Sequence, residues 1–268
     1  MRFVVAASLV LAFAAPRAAG EPEPPPADRV LPIPARAQAA EAPSAGWCGE
    51  TAIQEALLHL GAWAPQRAIN RAGKPSHPDL YSNDVPVALD ALGAKYTFYV
   101  ARERSWPAFS RWVEKALDDG APVLAGVKIL PTQHPEWGLD HFVLVVGHGA
   151  RGLLVNTTWG TRAWVADTTT PGLSFKNAVY AIRLDGLRLP AGAHPARLAL
   201  LEENGSSVRL RVACEGLASG AAYRIARSGA RADETIIAAE RVVADGDRVL
   251  AELAVPADRL ARFYCVAR

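Results

Sequence analysis

The chain has 268 residues, 50% of them apolar and 21% charged, with a formal net charge of +2. That composition suits a globular protein with a real core, in one large domain or two modest ones. Lysine and arginine are dispersed, with no basic run or aromatic-interleaved stripe, so no nucleic acid is expected as a partner.

Arg2, the apolar run Phe3–Ala15 and the small residues Ala18-Ala19-Gly20 predict a signal peptide over residues 1–20. A bilayer span needs about 20 apolar residues, so the run is too short for a stable membrane span. A secreted or periplasmic location is expected. Glu21–Pro34 contains six prolines, and residues 21–37 read as an extended linker. From Cys48 the pattern is helical: Ala52, Ile53, Ala56, Leu57 and Leu60 share a face and Gly61 follows as a stop. A helix over Val85–Leu92, a strand over Lys95–Val100 and a helix over Trp106–Leu117 come next. Strands are expected at Pro122–Leu130, His141–Val146, Leu153–Asn156 and Ala178–Leu184. Helices first and strands later imply an α+β domain over residues 38–187. Residues 195–268 hold five or six short strands with hairpin signals at Asn204-Gly205 and Asp245-Gly246, the pattern of a small all-β sandwich.

There are three cysteines. Cys214 and Cys265 each lie in a strand-like run of the C-terminal part and can pair as a disulfide in an oxidising compartment. Cys48 is then left over, as an intermolecular, a reactive or a buried structural thiol. Its place at a helix start favours the thiolate, because free N–H groups and the positive end of the helix dipole lower a cysteine pKa. A small buried residue that happens to open a helix would look the same.

His141 opens one apolar strand and Asn156 closes the next. If Gly147–Ala150 forms the hairpin turn, the two lie directly opposite on one face. Asn156 then binds one imidazole nitrogen and leaves the other for a thiol. The remaining histidines lack metal-ligand spacing, and neither a metal nor a cofactor is implied.

Leu139-Asp140-His141, Gly147-His148-Gly149 and Asn156-Thr157-Thr158-Trp159-Gly160 resemble the His and Asn segments of papain-like cysteine peptidases. In those segments an Asp-His pair opens a strand, a Gly-x-Gly turn follows, and an Asn-Ser-Trp-Gly run closes the motif. Trp47-Cys48-Gly49 and its helix look more like the compact bacterial double-glycine-leader peptidases. Cys48 and His141 stand 93 residues apart, shorter than the spacing of papain and cathepsins, which fits the compact branch. The resemblance covers residues 38 to 186. It implies Cys48 as nucleophile, His141 as base, Asn156 as the residue orienting the base, and Trp159 as a shield over the His141–Asn156 bond. The family's oxyanion glutamine, about six residues before the cysteine, is Ala42 here. Gln38 reaches that place only if the loop through Pro43 folds back. The expected activity is hydrolysis of peptide or protein substrates through an acyl-enzyme. The alternatives are a transglutaminase-like acyl transfer, a non-catalytic peptide-binding module, and adhesion through the C-terminal sandwich.

Overall fold

A computed structural model describes residues 28–43, 46–100, 105–130, 132, 135–167, 172–175, 180–229 and 235–267. The expected signal segment and the first part of the linker lie outside the described residues.

Helix α1 (Cys48–Leu60) is buried at every position from Gly49 to His59, because two hydrophobic cores close on it. Ala52, Ile53, Ala56 and Leu57 enter the first core and Leu58 the second. A helix enclosed all round must satisfy its polar side chains internally. Thr51 Oγ1 donates to the Trp47 carbonyl at 2.7 Å, and Gln54 Nε2 donates to the Ala64 carbonyl at 2.8 Å. Gln54 Oε1 accepts from Arg36 Nε at 2.7 Å. The helix stops at Gly61, whose φ is 92°. A Cβ there would sit 2.5 Å from the Ala196 carbonyl oxygen, so only glycine lets the second half approach so closely.

The first sheet contains β3 (Ala94–Phe98), β4 (Val123–Val127), β5 (His141–Gly149), β6 (Gly152–Asn156), β7 (Arg162–Val165) and β8 (Ala181–Leu187). Its order is β3-β8-β4-β5-β6-β7. Helix α4 (Trp106–Asp118) starts at Ser105, whose side chain accepts from Ala108 N, and buries Phe109, Val113, Ala116 and Leu117 at helical spacing. Helices α2 (Gln66–Gly73) and α3 (Asp84–Ala91) complete this half. α2 escaped the pattern reading because only Gln66, Ile69 and Gly73 are buried, too few to show a period.

The proline-rich stretch is a linker only in part. From Asp28 onward it belongs to the fold: β1 (Arg29–Val30) pairs with Gly147 and His148 of β5. Leu31 and Ile33 are buried in the first core. Pro32 and Pro34 hold the backbone extended, and alternation then points both apolar residues inward. β1 also overturns the expected hairpin turn. Gly147 and Gly149 are strand residues, and the chain reverses at Ala150-Arg151. A Cβ on Gly147 would stand 2.7 Å from the Arg29 carbonyl, so that glycine serves the close approach of β1. The register shifts with the turn: Asn156 lies opposite Leu144 and not opposite His141.

The second half forms another seven-stranded sheet, ordered β12-β11-β14-β9-β10-β13. Its strands are β9 (His194–Glu203), β10 (Ser207–Cys214), β11 (Ala222–Ser228), β12 (Thr235–Val243), β13 (Val249–Pro256) and β14 (Ala261–Ala267). β2 (Ala62–Trp63), from the front half, adds to β14. The long strand β9 pairs with β14 at its start and with β10 beyond, so one hydrogen-bonded sheet folds over a single core. Cys214 of β10 and Cys265 of β14 form a disulfide inside that core.

About 20% of the chain is helix and 41% strand, and every strand pairing among the described residues is antiparallel. The architecture is therefore α+β. Among the described residues no helix is long and apolar enough to cross a membrane.

Candidate active site

Cys48 is the first residue of α1, half-buried beside the start of β5. The Phe142 N–H points at its Sγ from 3.4 Å, so the sulfur lies against the residue that follows His141. The expectation of a lowered thiol pKa does not hold. Burial pushes the Cys48 thiol up to about 12, assisted by the negative charges of Glu50 and Asp79 and only partly offset by the Phe142 and Gly49 N–H groups. Desolvation of the sulfur outweighs the helix start. At neutral pH the resting group is a thiol. Nucleophilic attack therefore needs a base.

His141, buried at the head of β5, meets that description. Its Nε2 is 2.9 Å from the Thr157 carbonyl and 3.1 Å from Thr158 Oγ1. A carbonyl only accepts, so Nε2 carries the proton and Nδ1 holds the free lone pair. Burial lowers the pKa of the imidazole, opposed by the Thr157 hydrogen bond and the Asp140 charge. The ring is thus neutral and basic at Nδ1. Among the described residues no hydrogen bond joins it to Cys48.

Asn156 does not orient this imidazole. Its Nδ2 donates to the Pro34 carbonyl at 3.2 Å and more weakly to the Ile33 carbonyl at 3.4 Å. Its Oδ1 accepts from Arg162 Nε at 3.0 Å. The side chain ties β6 to the N-terminal segment. The cause is visible in the run Asn156-Thr157-Thr158-Trp159, which has one residue more between Asn and Trp than the Asn-Ser-Trp run it resembles. The extra Thr158 takes a left-handed conformation, φ 66°, which is costly for a β-branched residue. Continuing the β5–β6 register places Trp159 across from His141, where its ring stacks on the imidazole at 4.5 Å with 21° between planes.

Gln38 is brought to the site by backbone pairing. Its N–H donates to the Thr158 carbonyl at 3.2 Å, and Ala37 bridges to Trp159. The following loop turns back, and Gln38 Oε1 accepts from Trp47 N at 2.6 Å. The amide therefore stands one residue from Cys48, although 10 positions before it in sequence.

Asp140 is turned away from the base. Burial raises its pKa, but the N–H groups of Ile129 and Leu130 and the Lys128 ammonium at 2.9 Å hold it below the ordinary carboxylate range. Glu50 is buried under the site and accepts from Asn70 and Leu80 N. Burial pushes it up to about 7 against those hydrogen bonds. His59, in the same helix, is also buried. It bonds the Gly120 carbonyl at 2.9 Å and contacts Arg197.

A cleft of about 700 Å³ opens beside Cys48, lined among others by Asp79, Tyr81, Trp137, Phe142 and Tyr180. Asp79, Tyr81 and Trp137 come from loops that carry no motif spacing, and Phe142 from the strand that His141 opens. Cys48 lines this cleft, Gln38 is bonded to the residue before it, Trp159 covers His141 at the head of β5, and Asn156 is set apart. No family model matches the chain, and no curated protein or solved structure matches it either.

Proposed function

We propose that this chain is a thiol hydrolase of peptide or amide bonds, built on the papain-like plan, with its base oriented by a main-chain carbonyl. The observation that carries the reading is the Phe142 N–H held 3.4 Å from Cys48 Sγ. It sets a thiol that needs a base next to the one residue whose neighbour is a neutral, correctly protonated imidazole.

In the reaction, His141 Nδ1 takes the Cys48 proton as the sulfur attacks the substrate carbonyl. The tetrahedral oxyanion is held by the Cys48 N–H and the Gln38 Nε2–H. Collapse breaks the C–N bond, and His141 returns the proton to the departing amine. Water, deprotonated by the same nitrogen, then cleaves the thioester to the acid and the free thiol. Trp159 covers the imidazole face, which keeps the Nε2–Thr157 bond dry. Export to an oxidising compartment belongs to the same proposal, and the Cys214–Cys265 disulfide supports it.

The test is mass-resolved alkylation at neutral pH by iodoacetamide, together with cleavage of a mixed peptide pool. The expected result is single labelling at Cys48, slowed about tenfold or more in His141→Ala, and cleavage abolished in Cys48→Ala. A labelling rate indifferent to His141 overturns the reading. A second reading, a peptide-binding module without catalysis, draws on the displacement of Asn156 from the base. It requires peptide binding that survives Cys48→Ala with no turnover in the wild type.

A further inference from the structure

The cleft beside Cys48 carries one charge that the chemistry above does not use. Two carboxylates line it, Asp79 and Asp140. Asp140 is neutralised by Lys128 at 2.9 Å. Asp79 has only the His77 imidazole, in a long ion pair that is charged only when the ring is protonated. His77 Nδ1 stands 3.7 Å away, beyond hydrogen-bond length, and the same imidazole leans toward Asp84 with Nε2 at 3.4 Å while stacking on Tyr81. No lysine, arginine or histidine is among the described residues that line the cleft. The walls are otherwise largely apolar and aromatic. Lys128 already lies over one side of the Trp137 ring at 6.0 Å and His77 stacks on Tyr81, yet Tyr81 and Trp137 keep 48% and 44% of their surface exposed, ring area that a cation can lie against. The field of Asp79 extends to the nucleophile itself, since its charge is among those that disfavour the Cys48 thiolate.

A carboxylate held only by a distant imidazole contributes little to stability, but it gives an entering cation a partner inside a partly desolvated cleft. We propose that Asp79 selects substrates with a protonated amine or guanidinium near the scissile carbonyl, seated against its carboxylate and flanked by Tyr81 and Trp137. The substrate class is then a cationic peptide. The carbonyl part of this statement rests on the thiol-hydrolase reading; the charge preference belongs to the cleft alone and is measured without turnover.

Three methanethiosulfonates of similar size and different charge serve as probes: the 2-aminoethyl (cationic), methyl (neutral) and 2-sulfonatoethyl (anionic) reagents. Each transfers its alkylthio group to the Cys48 sulfur, forming a mixed disulfide and releasing methanesulfinate. Because Cys214 and Cys265 are already bonded to one another, Cys48 is the only reporter. The quantity read is the cationic-to-anionic rate ratio at low ionic strength, divided by the same ratio for a small free thiol. The expected value is about tenfold or more in the wild type, falling below about threefold in Asp79→Asn and retained in Asp79→Glu. A rate with the neutral reagent no lower than in the wild type shows that Asp79→Asn keeps the fold, since loss of the Asp79 charge can only favour the thiolate. The proposal is overturned by equal ratios in wild type and Asp79→Asn, by a preference for the anionic reagent, or by a Cys48 inert to all three. His141→Ala judges the hydrolase reading separately, since loss of the base slows the three reagents alike and leaves their ratio in place.

Discussion

Trp159 lies nearly flat on His141, ring centroids 4.5 Å apart, although 48% of its own surface faces solvent. The imidazole is buried beneath it, and burial is the largest cause of its lowered pKa. Trp159→Ala therefore admits water and moves the His141 pKa up toward its ordinary value, carrying the acid limb of the rate–pH profile to higher pH. Loss of the ring contact costs about 1 kcal/mol, or roughly fivefold in rate. Titration of the His141 ring by NMR checks the direction.

Asn156→Ala acts on stability and spares the chemistry. The substitution strips partners from Arg162 Nε and from the Ile33 and Pro34 carbonyls, at a cost of about 1–3 kcal/mol. Urea unfolding reads that loss, while the rate of Cys48 alkylation in the folded protein stays within about twofold. An alkylation defect as large as that of His141→Ala would return Asn156 to the active site.

Gln38→Glu separates two jobs of one side chain. The carboxylate keeps an oxygen for the Trp47 N–H, which Gln38 Oε1 now engages at 2.6 Å, but it removes the Nε2 donor. Turnover should fall by about 10² to 10³, with alkylation of Cys48 slowed far less, by the added carboxylate charge alone. Steady-state peptide hydrolysis beside the alkylation rate distinguishes that outcome from a collapsed loop, which would change both alike.

Glu55 makes the fold less stable as pH rises. Burial lifts its pKa from 4.5 to about 8, opposed by the Arg36 N–H, the Asn156 amide and the charges of Arg36 and Arg162. Between those two values the folded protein holds a proton that the unfolded chain has released. The contribution is thus complete below about pH 4.5 and is lost progressively toward pH 8. Glu55→Gln should remove this part of the slope, leaving the loss from Glu50 and the opposing gain from buried His59, whose pKa is lowered to about 4. Urea midpoints at pH 5 and pH 8 in both proteins measure it; identical slopes would contradict it.

Much of the fold is legible wherever the signal is local. The α1 stripe and its Gly61 stop, the Trp106 helix, and strands such as Ser207–Cys214 follow from periodicity and turn chemistry alone. The register of β5 against β6 does not. Gly147 and Gly149 look like turn residues, but their small size answers to β1, which crosses from more than a hundred positions upstream. One misplaced turn was enough to pair His141 with Asn156. Gln38 is legible only on the condition that its loop folds back, and Asp79 has no local signal of its own: each reaches Cys48 through a loop whose course depends on tertiary pairing.

Trp63 is threaded from the front half into the core of the rear sheet, through β2 and its pairing with Ala261. Its burial alone is worth roughly 3–5 kcal/mol, a sizeable fraction of what holds a small domain together. A scissor placed at the Pro190–Gly192 turn would accordingly yield two damaged remnants instead of two working parts. Grafting the nucleophile-bearing half onto another protein must carry the rear sheet along with it, as the keel that keeps the foot of its central helix dry.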